Sequence, residues 1–153
     1  MPSIDYKKLW DVVTAQFPLG IDSLHGPSHW RQVQENGLLL ACQTGADTTI
    51  IRLFSVFHDS RRENDGIDWN HGSRGADLAV AMRGIYFDLP DGLFEKLLHA
   101  CRHHTSGDKT ADVTIGSCWD ADRLDLPRFS IQPDARRMLT VYGRQLARKM
   151  RQR

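Results

Sequence analysis

The segment IIRLFSVFHD at residues 50–59 constrains the fold more than any other part of the chain. A helix this apolar has to be surrounded by other elements, and it ends on two ionisable residues. Ile51, Phe54, Phe57 and His58 share one face by spacings of three and four, so His58 points into the core with its apolar neighbours. Asp59 follows about 100° further round the helix, close enough for both side chains to converge on an ion. Two ligands do not close such a site. A divalent ion takes about four to six donors, and the remainder must come from other helices.

Breakers divide the rest into helical segments. Ser3 is the expected cap of a first helix with Leu9, Trp10, Val13 and Phe17 inward, stopped by Pro18 and Gly20. Pro27 opens a second that runs to about Thr44, with His29, Val33, Gly37 and Leu40 on one face and Gly45 as its stop. Asp47 caps the helix that carries His58 and Asp59, which frays into SRRENDGIDWN. HGSRGADLAVAMRGIYF reads as a fourth helix with His71, Gly75, Leu78, Met82 and Ile85 inward. In LFEKLLHACRHHT the stripe Phe94, Leu97, Leu98, Cys101 continues to His104, leaving His103 on the polar side with Lys96 and His99. IGSCWDADRLDLPRF is a short helix closed by Pro127, and PDARRMLTVYGRQLARKM a final amphipathic one. Strand patterns are nearly absent, so the expectation is all-α: an irregular bundle of six to seven helices with a polar centre.

At 153 residues the chain fits one domain, 1–153, able to bury a core of several helices without disulfides. The net charge of +1, with both signs mixed along the chain, gives no field for nucleic acid or a membrane. The basic tail GRQLARKMRQR reads as a solvated helix end whose cations suit the helix dipole. Cys42, Cys101 and Cys118 lack CxxC spacing and leave one thiol unpaired under any disulfide scheme, which suits a reducing compartment. With no charged-then-apolar leader and no apolar run near the about 18 residues of a span, a soluble cytoplasmic protein is expected. The oligomeric state is not encoded legibly.

Five inward groups on different helices remain: His29, His58 with Asp59, His71, His104, and the acidic cluster Asp120, Asp122 and Asp125. Any one of the histidines alone is more often a hydrogen-bonded core residue than a ligand, and the aspartates alone could simply cap a helix. Together they do not, because burying several ionisable groups in one small core is costly unless an ion or a reaction requires them. Their order resembles that of the HD-domain superfamily of metal-dependent phosphohydrolases: a histidine, then His-Asp, then a distant Asp. The matching elements are HGPSHWRQV with His29, the pair His58 and Asp59, and CWDADRLDLPR with Asp122, spanning about residues 25 to 128.

The resemblance implies a helical fold in which His29, His58, Asp59 and Asp122 hold one divalent ion, with Asp120 as rival for the last place. Mn, Mg, Co, Ni, Zn and Fe all suit such donors. Some relatives hold a second metal, and His71 and His104 fall where its ligands would lie; both serve equally well as groups that bind phosphate or donate protons. The chain reads HDSRREND where alarmone hydrolases carry HDxxED, and it lacks the GYP motif of the cyclic-dinucleotide branch.

The implied reaction is hydrolysis of a nucleotide or other small phosphate ester by metal-activated water, with Asp59, Asp65, His71 and His104 as catalytic candidates. Asp65 is the choice over Glu63 and Asp68 for orienting water or protonating the leaving oxygen. Phosphate charge calls for cations: Arg61, Arg74, Lys109 and Arg123 are the main candidates, with Arg62 and Arg128 nearby; Arg61 lies three residues past His58 and Arg74 three past His71, so each shares a helical face with a proposed ligand. Trp69, Trp119 and Phe129 are either core residues or stacking surfaces for a base. The same ligands suit two other classes, a di-iron HD-type oxygenase and a metal-binding module without turnover.

Overall fold

The computed structural model describes residues 3–151, so the last two residues of the basic tail lie outside it. Seven α-helices follow one another: α1 Tyr6–Ala15, α2 Pro27–Thr44, α3 Thr48–Phe57, α4 His71–Met82, α5 Asp91–Arg102, α6 Val113–Arg123 and α7 Val141–Arg151. Short 3-10 turns at Leu126–Phe129 and Ala135–Arg137 separate the last two. The described residues contain no strand beyond an isolated bridge between Arg83 and Phe87. The all-α expectation therefore holds.

Buried from Ile50 to Phe57 apart from the half-buried Arg52, α3 is the axis of the bundle, with α2 and α6 packed together on one flank and α4 and α5 on the other. Phe54, Phe57, Ile50, Leu53 and Val56 are wholly buried, each contributing about 1.5–3 kcal/mol of transfer free energy. Two glycines set how closely neighbours approach. A β-carbon at Gly37 would collide with Ile51 of α3, and one at Gly75 with the carbonyl of Phe57. Glycine at both places lets α2 and α4 press against the helix that ends in His58 and Asp59.

Caps fix the helix starts. Asp47 accepts from the amides of Thr49 and Ile50 at the start of α3, as the sequence predicts. At α1 the cap is Asp5, accepting from the Lys8 amide, in place of the expected Ser3.

Two helices are shorter than expected. The fourth ends at Met82, because Gly84 takes a φ of 82° and its amide bonds the Phe87 carbonyl, closing a turn. Ile85, expected inward, consequently points to solvent at 73 % exposure. The last helix begins only at Val141, because Asp120 draws the Leu139 and Thr140 amides onto its carboxylate at 2.7 and 2.9 Å. The segment expected to be continuous from Pro133 breaks there into a 3-10 turn and an extended Met138.

Trp119 is a core residue, wholly buried, its indole N–H donating to the Ala100 carbonyl. All three cysteines are free thiols; Cys101 and Cys118 are buried, and Cys42 is exposed. Among the described residues no helix is long and apolar enough to cross a membrane.

Candidate metal centre

His29 sits on the first turn of α2, which Gly26 and Pro27 open without a side-chain cap. His58 is the residue that caps the C-terminus of α3, its amide still bonded to the Phe54 carbonyl, and Asp59 follows in the turn. His71 opens α4, and His104 lies two residues beyond the end of α5. These four imidazoles and the Asp59 carboxylate are buried. His103, next to His104, is exposed, as the helical phase of α5 predicts.

Each inward histidine has one ring nitrogen engaged from behind. His58 Nδ1 is 3.0 Å from the Ser55 carbonyl, His71 Nδ1 is 2.6 Å from that of Asp68, and His104 Nδ1 is 2.7 Å from that of Cys101. Carbonyls accept only, so these nitrogens carry the proton and the Nε2 atoms of these three rings are left free to present a lone pair. His29 is engaged differently: its Nδ1 donates over 2.7 Å to the Asp125 carboxylate, which Arg128 holds with a second 2.7 Å bond, and its Nε2 offers a lone pair once its second proton has left.

The Nε2 atoms converge. His29 and His58 face one another Nε2 to Nε2 at 3.2 Å, and His71 and His104 at 2.9 Å. Asp59 lies between the pairs and turns one oxygen to each. Its Oδ2 is 3.3 Å from His29 Nε2 and 3.6 Å from His58 Nε2, while Oδ1 is 3.1 Å from His71 and 3.4 Å from His104. Asp122 completes the first group, with Oδ1 at 3.0 Å from His29 and 3.5 Å from His58.

Two donor groups therefore share one carboxylate: His29, His58 and Asp59, and Asp59, His71 and His104. Their composition and spacing fit divalent ions. Two ligands at about 2.1 Å from one ion and at right angles stand about 3 Å apart, matching the distances between these atoms. Imidazole lone pairs pointing at each other repel unless a cation or a proton lies between them, and Asp59 Oδ1 is buried with no hydrogen bond.

Charge within the cluster follows the same logic. Burial opposes ionisation of Asp59 and Asp122, but the surrounding imidazoles outweigh it and hold both carboxyls well below the usual range. Burial likewise opposes a cationic His29, yet Asp122, Asp125 and Asp59 raise its pKa well above the ordinary imidazole value.

Asp120, the rival to Asp122, faces the other way. It is fully buried, accepts from the Leu139 and Thr140 amides and the Thr140 hydroxyl, and makes no hydrogen bond or ion pair with the described histidines. Burial raises its pKa against those hydrogen bonds.

The cluster floors a cavity of about 660 Å³ whose walls include Arg62, Arg123 and Arg137 and the apolar side chains of Leu126, Phe129, Ile131 and Met138. Arg123 is where the sequence predicts a cation, though its guanidinium is spent on the Gly107 and Arg137 carbonyls. Asp65 reaches the cavity mouth and accepts from the Ser23 hydroxyl at 2.6 Å.

Three expected cations are not brought there. Arg61 turns to the Gln16 carbonyl, and Arg74 pairs with Asp68 at 2.5 Å; both line a separate shallow depression on the outer face. For Arg61 the shared helical face is absent, because residues 58–62 follow the end of α3 in a turn, whereas Arg74 does follow His71 on α4 but turns to Asp68 and the Arg61 carbonyl. Lys109 is exposed and outside the cavity lining. Asp68 is committed to Arg74 and the Glu63 amide, Glu63 is exposed, and Trp69 is 87 % exposed.

Sequence reasoning missed His25. Its Nδ1 lies 3.4 Å from Asp59 Oδ2, its ring stacks on Phe129 at 4.7 Å, and its carbonyl accepts from the Trp30 indole. The available signal was its place four residues before His29, ahead of Gly26 and Pro27. Asp125 was read as one of an acidic cluster, without its role behind His29.

The sequence matches no protein-family model and no curated protein. Its fold is similar to that of a predicted HD superfamily hydrolase from an uncultured Thermotogales bacterium, a crystal structure at 1.45 Å resolution. The TM-score is 0.74 at 24 % identity, over 95 % of this chain and 84 % of that one. The likeness supports an HD-domain fold here.

Proposed function

We propose that the chain is a metal-dependent phosphohydrolase that acts on a nucleotide or another small phosphate ester, with two divalent ions flanking Asp59. The observation that carries this reading is the pair of Asp59 oxygens, each directed to a different pair of histidines at 3.1 to 3.6 Å. His29, His58, Asp59 and Asp122 would hold one ion, and Asp59, His71 and His104 the other. Bound there, such ions supply Lewis acidity toward a phosphoryl oxygen and a water ionised near neutral pH.

The rest of the work falls to the cavity. Arg62 and Arg137 give it positive charge for an anionic group, while Leu126, Phe129, Ile131 and Met138 offer apolar contact to the remainder of the substrate. His25 and Asp65 both line the cavity, and in this reading they would move a proton to or from the leaving oxygen. The protonated Nδ1 atoms of His58, His71 and His104 keep those rings oriented with Nε2 toward the cavity floor.

The test is a panel of nucleoside mono-, di- and triphosphates and simple phosphate esters, assayed for released phosphate with magnesium, manganese, cobalt, nickel, zinc or iron. Metal-dependent release that disappears in Asp59→Ala is expected. Absence of release with every metal overturns the hydrolase reading. Oxygen consumption by iron-loaded protein would assign the same ligands to an oxygenase instead.

A further inference from the structure

Asp59 Oδ1 and Arg62 Nε are both buried, and neither makes a hydrogen bond, although they stand 3.5 Å apart. A free carboxylate and guanidinium close to about 2.7–2.9 Å. Here the guanidinium is held back by its own loop, where Nη1 donates to the carbonyls of Asn64 and Gly66 at 3.2 and 3.1 Å. The arginine is thus tethered with its charge beside one particular oxygen, the one that faces His71 and His104.

The other half of the centre has the opposite environment. Asp59 Oδ2 and Asp122 have only histidines within ion-pair distance, and the further carboxylate behind His29, Asp125, is paired with Arg128 on its outer side. One cluster is therefore rich in carboxylates and the other has a fixed cation at its threshold.

We propose that Arg62 is a tethered countercharge for the cluster of Asp59, His71 and His104, weakening cation binding there so that the two clusters load in sequence, the His29 cluster first. The inference rests on reading both clusters as metal sites. Arg62 supplies positive charge at Asp59 Oδ1 while the second cluster is without a cation, and an entering cation meets its repulsion.

The experiment is calorimetric titration of manganese into the chelator-stripped full chain, followed in parallel by manganese paramagnetic resonance. Wild type is expected to bind in two unequal steps. Arg62→Gln strengthens the second step about tenfold and leaves the first within about twofold. Arg62→Met, which keeps the packing of the side-chain stem, does the same and replaces the glutamine variant in the comparison if that one loses helix content. Arg61→Gln, an equal change of net charge outside the cavity, leaves both steps unchanged.

A second step unmoved by loss of the Arg62 charge overturns the proposal, and so does an equal shift with Arg61→Gln. If wild type binds a single ion, neutralising Arg62 must bring out a second step; its continued absence ends the countercharge role while one-ion binding survives. No manganese binding by any variant overturns the metal reading itself.

Discussion

Asp125 stands directly behind His29, its carboxylate 2.7 Å from Nδ1 on the side of the ring away from Asp59. The other inward histidines rest on backbone carbonyls, which no side-chain substitution removes. Only His29 depends on a side chain for its tautomer. Replacing Asp125 by Ala should therefore weaken metal binding at the His29 cluster about ten- to a hundredfold, with helix content kept. Competition with a chromophoric chelator measures it, and unchanged affinity would show that His29 is oriented without Asp125.

Asp120 and Asp122 are two residues apart and do different things. Asp120→Ala leaves the amides of Leu139 and Thr140 without an acceptor and should cost about 2–3 kcal/mol in denaturant unfolding, with metal stoichiometry kept. Asp122→Ala should do the reverse, lowering metal affinity with little change in helix content. Swapped outcomes would mean that the two carboxylates have been assigned to each other's roles.

The ionisation states give the metal-free protein a two-sided dependence on pH. Asp59 and Asp122 titrate well below their ordinary 3.8, so their stabilisation is present above that value and lost as pH falls through the lowered ones. His29 titrates well above its ordinary 6.5, so its contribution is complete below that value and lost as pH rises through the raised one. Apo stability should therefore be greatest between the two ordinary values. Metal binding at neutral pH must displace the His29 proton, so affinity should increase with pH and protons should be released on loading. Calorimetry in buffers of differing ionisation enthalpy counts them, and pH-independent binding without release would contradict the account.

The helical order and the inward phase of His104 were legible because apolar spacing of three and four carries phase information within a helix; that His29, His58, Asp59 and Asp122 come together was implied by the family resemblance instead. Phase is lost where the helix stops. Arg61 was placed by continuing the register of α3 past Phe57, where the chain has already turned, and Ile85 by continuing α4 past Gly84. The final helix failed for a different reason: Asp120, twenty residues earlier than Thr140, takes the amides that would have started it. His25 and Asp125 lie in loops, where only the tertiary path reveals that they reach the same centre.

Gly75 couples the core to the second cluster. Gly75→Ala would push α4 away from the Phe57 carbonyl, at a cost of about 1–3 kcal/mol, and carry His71 away from Asp59. Thermal unfolding should show the loss of stability, and the second manganese step should weaken more than the first. Equal weakening of both would mean that the displacement is not local to α4.

The most direct measurement is anomalous diffraction at a metal edge from crystals of the full chain grown with manganese. Two peaks flanking Asp59 are expected, one contacting Oδ2 with His29, His58 and Asp122, the other contacting Oδ1 with His71 and His104. Peaks confined to other residues, or none despite full manganese occupancy in solution, would contradict the shared-carboxylate centre.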